Sequence, residues 1–218
     1  MLRCTGCNRL YGMRQGVPEL LVSSPAWVNP PGWLERVAAI PVVYDIIQRI
    51  AGSRTLAERL ETCFASTRGL VLDVGAGTGS LEPILPATAR YLWLDADHKK
   101  LTRFGAKSAA PAILADATAL PLRDRSVEYS VSIGVSHHLN DASLRLMLDE
   151  VRRVTRETFV FLDAVTSTRL ESRLLWRYDR GSYPRSADAL KREIGARFNV
   201  ASTELFTVRH EYLLALAH

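Results

Sequence analysis

"LVLDVGAGTG", residues 70–79, holds a β-strand and a turn in ten letters. Leu70, Val71, Leu72 and Val74 form an apolar run, rich in β-branched residues, that suits a strand buried on both faces. Gly75, Gly77 and Gly79 then interrupt regular structure at alternate positions. A strand that ends in such a turn lies where open α/β sheets bind ligands, beyond the carboxyl ends of their strands. The dinucleotide fingerprint requires a glycine five positions after the first, where this chain has Ser80. Asp73, two residues ahead of the loop, repels a pyrophosphate and attracts a cation. The loop therefore reads as a cradle for a cationic ligand.

Working outward, short apolar runs recur as "LVLDV", "YLWLDA", "AILA", "EYSVSIG" and "TFVFLDAV", with helix-compatible segments between them. This alternation predicts parallel βαβ units and a doubly wound sheet with helices on both faces. "FNVASTELFTV" and "EYLLALAH" are separated only by "RH", too short for a crossover helix, so they are expected to form an antiparallel hairpin at the sheet edge. On the amino-terminal side, residues 53–66 read as a helix capped by Ser53, and residues 33–52 as a helix broken or kinked by Pro41. The turn-rich stretch 23–33 divides the chain into an arm, 1–34, and a main domain, 35–218.

The 218 residues are 47% hydrophobic and 23% charged, enough for one large α/β core. No apolar run approaches the roughly 18–20 residues of a membrane span, and the N-terminus has no signal-like core, so a cytoplasmic location is expected. Cys4, Cys7 and Cys63 are too few for a disulfide framework and read as free thiols. The net charge of +5 is spread without a dense basic run, so no stable nucleic-acid complex is expected.

Two further carboxylates fall where a nucleoside would need them. Asp95 lies twenty residues after Gly75 and can accept hydrogen bonds from ribose hydroxyls, whereas Asp97 reads as a helix N-cap. Asp116 can accept from an exocyclic amine, or shape a turn of its own.

"VLDVGAGTG", "LWLDAD", "LADATALPLRDRSVEYSVSIGVSHHLND" and "LMLDEVRRV" together resemble the successive motifs of class I S-adenosylmethionine-dependent methyltransferases, of the type called methyltransferase domain 11. The resemblance covers roughly residues 35–218 and implies a Rossmann-like, seven-stranded, mostly parallel sheet with a reversed last strand. It implies S-adenosylmethionine as cofactor. Asp73 and the loop Gly75, Ala76, Gly77, Thr78 and Gly79 would hold its methionine part, Asp95 its ribose, and Asp116 with Ala117 its adenine, with Ala96 and Ile133 further contacts. Two departures stand out: "VTRETFVF" shortens the usual turn before the fifth strand, and Val127–Glu128 replaces an aromatic–Asp pair.

A sulfonium methyl group is already activated, so such an enzyme chiefly aligns an acceptor and excludes water. A hydroxyl or carbon acceptor also needs a base, and His137 and His138 are the candidates, His137 as the base and His138 as its alternative or as a structural group buried against the following helix. Residues 166–194 occupy the place of a substrate lid. Leu170, Leu174, Leu175 and Tyr178 have helical spacing and are expected to pack onto the core. Trp176, Arg177, Arg180, Tyr183 and Arg185 form an aromatic and cationic group suited to an acidic or glycosyl-phosphate substrate, and Tyr44, Trp176, Arg180 and Tyr183 are the candidate substrate contacts. The arm's Cys4–Cys7 pair resembles half of a zinc ribbon that accompanies some RNA and protein methyltransferases. Tetrahedral zinc needs four ligands, so a metal-free remnant is expected. The reading is a methyltransferase, monomer or homodimer, acting on a small-molecule or lipid-linked acceptor; the alternatives are an RNA or protein methyltransferase and an inactive binding subunit.

Overall fold

Strand β4 (Gly69–Val74) is the hydrophobic half of the opening motif, and it lies in the middle of the sheet. The computed structural model describes residues 1–5, 8–21, 53–77, 79–100, 108–177 and 183–218. The helix expected over 33–52 therefore lies outside the described residues. Three short strands come first: β1 (Leu2–Arg3), β2 (Leu10–Arg14) and β3 (Val17–Glu19). Helix α1 (Ser53–Phe64) precedes β4, and β5 (Ala89–Asp95), β6 (Ala112–Leu114) and β7 (Val127–Ile133) follow it. Next come α2 (Asp141–Val154), β8 (Thr155–Val165), α3 (Leu170–Trp176) and α4 (Ala187–Gly195). The chain ends in β9 (Val200–Thr207) and β10 (Glu211–Ala217).

Among the described residues the strands form one sheet in the order β1-β2-β3-β6-β5-β4-β7-β8-β10-β9. The block from β6 to β8 is parallel, and β10 runs antiparallel to both β8 and β9, so the expected hairpin is present. The expectation of seven strands is corrected to ten. The arm supplies the other three: β3 pairs in parallel with β6 through Glu19 and Leu114, and the Leu20 N–H donates to the Leu114 carbonyl at 2.9 Å.

The period-two alternation of β4 divides the core. Leu72 and Val74 face Leu144, Met147, Leu148 and Val151 of α2 and Leu190 and Ile194 of α4. Val71 joins Leu60 and Phe64 of α1 with Tyr91 and Trp93 of β5. Each such buried side chain contributes about 1.5–3 kcal/mol relative to exposure. Asp73 shares the parity of Val71 and is 3% exposed, so a carboxyl group enters an otherwise apolar layer.

Asn140 caps α2 by accepting from the Ser143 N–H at 2.8 Å, and Arg152 and Arg153 in its last turn oppose the helix dipole. The helix passes directly into β8: the Thr155 hydroxyl donates to the Val151 carbonyl at 2.6 Å and bonds the Ser130 hydroxyl, so the shortened turn contains no loop. Glu128 lies at the opposite end of the sheet from the glycine loop, accepting from the Leu70 N–H at 2.7 Å and pairing with Arg156 at 2.9 Å. Among the described residues no helix is long and apolar enough to cross a membrane.

Candidate active site

The glycine turn is built for close approach. Gly75 has φ +75°, and a Cβ placed there would stand 2.5 Å from the Val135 side chain. Gly79 has φ +68°, and its Cβ would meet the Trp93 ring at 2.2 Å. Both positions exclude a side chain sterically as well as by backbone conformation. The Gly75 and Ala76 N–H groups donate to the Leu94 carbonyl at 2.8 and 3.0 Å, so the loop is folded back over the end of β5.

Beneath it lie two carboxyl groups. The Tyr91 hydroxyl donates to Asp73 in a short hydrogen bond. Burial, opposed by that bond and assisted by the nearby Asp95, pushes Asp73 up to about 7. Asp95 accepts from the Gly77 N–H at 2.8 Å and from the Asp97 N–H at 2.7 Å, and burial raises its pKa too, against the pull of Lys100 and these N–H donors. An isolated pair of carboxylates there is unfavourable, and a ligand cation above the loop relieves it. The buried acids and the glycine turn over them thus fit an ammonium-bearing nucleoside ligand.

A second cluster closes the same end of the sheet. Ser136–His138 form a 3₁₀ turn immediately after β7, and Val135, which abuts Gly75, joins that turn to the glycine loop. Asp163 of β8 is 1% exposed and accepts from the Ser136 N–H at 2.7 Å and the Ser136 hydroxyl at 2.6 Å. Its other oxygen lies 2.6 Å from His137 Nδ1. Burial works against the charge on Asp163, yet the His137 ring and the Ser136 donors outweigh it and hold the carboxyl below its ordinary range. An ionised carboxylate only accepts, so the His137 Nδ1 that faces it carries a proton.

Residues 72–161 match the methyltransferase domain family. Over that stretch, less than half of the chain, the sequence is similar to a methyltransferase domain. A 27% identical relative over 143 residues is an uncharacterized protein of Methanocaldococcus jannaschii; the match takes in 65% of this chain and 55% of that protein, so it spans about half the relative's length. Among solved structures, a Pyrococcus horikoshii protein aligns with TM-score 0.66 and 17% identity over 86% of this chain and 99% of that one. Magnesium protoporphyrin IX methyltransferase of Synechocystis, solved with S-adenosylhomocysteine, gives 0.65 and 16% over 79% and 87%. The complex between the Haloferax volcanii Trm112 methyltransferase activator and a methyltransferase gives 0.64 and 16% over 78% and 92%. These likenesses show a Rossmann-like fold.

The fold gathers Asp73, Gly75, Ala76, Gly77, Gly79, Asp95 and Ala96 around one turn, whereas Thr78 lies outside the described residues. Asp116 forms the turn that was its other reading: Oδ1 accepts from the Thr118 N–H and hydroxyl, both at 2.8 Å. Ala117 is buried and Ile133 half-buried at the end of β7. Asp97 accepts from the Lys99 N–H at 2.9 Å, as an N-cap does.

The two histidines differ from expectation in burial. His137 is the buried one, and His138 is half-buried with its ring 4.2 Å from that of His137. Trp176 stands edge-on to His137 at 5.6 Å and to His210 at 5.0 Å, and Tyr183 is exposed. Tyr44 and Arg180 lie outside the described residues.

Two expectations about the lid are corrected. Leu170 and Leu174 are 81% and 54% exposed, because Ser172 and Trp176 take the inward positions of α3. Arg185 is committed internally: it donates to the Ser136 and Leu139 carbonyls at 2.7 Å each and pairs with Asp141, while the Tyr183 N–H donates to the His137 carbonyl at 3.0 Å. It clasps the lid to the histidine turn. A cleft of about 610 Å³, lined by Asp141, Tyr183, Arg185 and Arg192 among others, opens beside that clasp and includes none of the glycine-loop residues.

Sequence reasoning missed Asp163 and this use of Arg185. The available signal was a carboxylate inside the apolar strand "TFVFLDAV", which is costly unless the group has partners. Among the described residues no group of three His, Cys, Asp or Glu side chains is placed to hold a metal ion.

Proposed function

We propose that the chain transfers the methyl group of S-adenosylmethionine to a small-molecule or lipid-linked acceptor. The observation that carries this is Asp73, a buried carboxyl group under a glycine cradle, beside a second carboxyl group and pushed up to about 7. In this reading Asp73 and the loop from Gly75 to Gly79, Thr78 included, take the methionine ammonium and carboxylate. Asp95 with Ala96 takes the ribose hydroxyls, Asp116 and Ala117 the adenine, and Ile133 the adjoining apolar edge. When bound, the cofactor supplies a methyl group activated by the sulfonium charge.

The chain's own residues then align, shield and deprotonate. His137 receives the acceptor's proton at Nε2, and Asp163 fixes the ring's tautomer and stabilises the imidazolium that forms. Trp176 beside His137 excludes water from the base, and Tyr183 with Tyr44 and Arg180 supplies the acceptor's side of the site. His138 supports the ring of His137.

Titration calorimetry tests the cofactor. S-adenosylmethionine and S-adenosylhomocysteine are expected to bind and NAD is not; micromolar NAD binding with no response to S-adenosylhomocysteine would overturn the reading.

A further inference from the structure

Helix α3 presents two unlike sides. Inward, Ser172 is fully buried and Trp176 touches His137 and His210 edge-on. Outward, Arg169, Leu170, Arg173, Leu174 and Arg177 follow the spacing i, i+1, i+4, i+5, i+8, which at about 100° per residue is one continuous arc of about 140°. All five are exposed. Among the described residues none of the three guanidinium groups makes an ion pair, and the helix's one acid, Glu171, is occupied by Arg209 at 3.3 Å. The arc therefore carries uncompensated positive charge next to two leucines.

A helix on a globular surface ordinarily turns its leucines inward and its charges outward. Here both lie on the solvent side, which suits a surface that is anionic at its boundary and apolar just beneath. We propose that this face of α3 docks on an anionic lipid membrane, the leucines entering the headgroup boundary and the arginines meeting lipid phosphates. Nucleic acid would satisfy the arginines and leave the leucines in water. Because Trp176 flanks this arc on the same short helix and touches His137, docking seats the histidine turn next to the bilayer surface. Given the methyl-transfer reading, on which this step rests, the acceptor is then the lipid-linked class, an amphiphile whose reactive group stands at headgroup level.

The test is flotation of the full chain with vesicles of phosphatidylcholine alone and of phosphatidylcholine containing about 30% phosphatidylglycerol. Binding is expected to the anionic vesicles only and to weaken in high salt. Leu170→Asp with Leu174→Asp, and separately Arg169→Glu with Arg173→Glu, are expected to lower it at least about tenfold while melting temperature and S-adenosylhomocysteine binding stay those of the unsubstituted chain. No binding to anionic vesicles overturns the proposal. Binding unchanged by the leucine pair also overturns it and reassigns the arginines to a polyanion such as RNA. Flotation without S-adenosylhomocysteine binding would keep the docking face and remove the methyl-transfer reading; cofactor binding without flotation would do the reverse.

Discussion

At Asp73 the charge is disfavoured by burial and by Asp95, and one hydroxyl offsets part of that. Because the folded-state pKa lies above the unfolded one, the carboxyl group contributes stability at low pH, and that contribution is lost as pH rises from about 4 through about 7. Relative to Asp73→Asn, the ligand-free chain is expected to lose up to about 4 kcal/mol of stability across this window, read from denaturant melts at successive pH values. The slope should flatten with saturating S-adenosylmethionine, whose ammonium favours the ionised form. In the proposed reading Asp95→Ala removes an acceptor for two ribose hydroxyls and also frees the Gly77 N–H, so cofactor affinity should fall by about 1.5–3 kcal/mol in calorimetry. At Asp163, substitution by Ala strands the Ser136 and His137 donors in a buried site and is expected to cost about 2–4 kcal/mol in a chemical melt. Asp163→Asn keeps the shape, and with an acceptor in hand it should lower turnover about 10²- to 10⁴-fold while leaving cofactor affinity within about twofold. The placement of Asp73 and Asp95 beside the glycine turn was legible because it follows from distance along the chain to the glycines. Asp163 was not, since its role depends on a turn 26 residues earlier that only the folded sheet brings beside it.

Among the elements, the glycine turn offers an internal control on why glycine is needed. At Gly79 an added methyl group collides with the indole of Trp93, whereas at Gly77 the nearest atom stands 3.8 Å away, leaving only the cost of φ +52°. Gly79→Ala should therefore destabilise by more than about 2 kcal/mol and Gly77→Ala by about 1 kcal/mol, compared by thermal melts; equal effects would mean that backbone conformation alone selects glycine. The lid shows where periodic reading stops. Its helical spacing was visible in the letters, but the period tells which residues share a face and not which face is covered. That depends on Trp176 reaching the two histidine rings from the other side. The last hairpin was easier, because "RH" leaves the chain no alternative to reversing direction.

For the molecule as a whole, the unforeseen feature is the arm that extends the sheet. Parallel pairing of β3 with β6 joins Glu19 to Leu114 across a separation that no local pattern encodes. Removing residues 1–21 bares the β6 edge, so the truncated chain is expected to melt at lower temperature and to self-associate with concentration, read by light scattering. The cysteine pair makes a separate forecast: purified protein should carry well under one equivalent of zinc, and Cys4→Ser with Cys7→Ser should leave the melting temperature nearly unchanged. The sheet order also imposes a schedule. On the ribosome, Val17–Glu19 is made early but finds its neighbour only after Leu114 has emerged and β4, β5 and β6 have aligned. Strands made before β4 are thus among the late ones to dock, and through that interval the nascent chain carries an unclosed strand edge that chaperones are placed to guard.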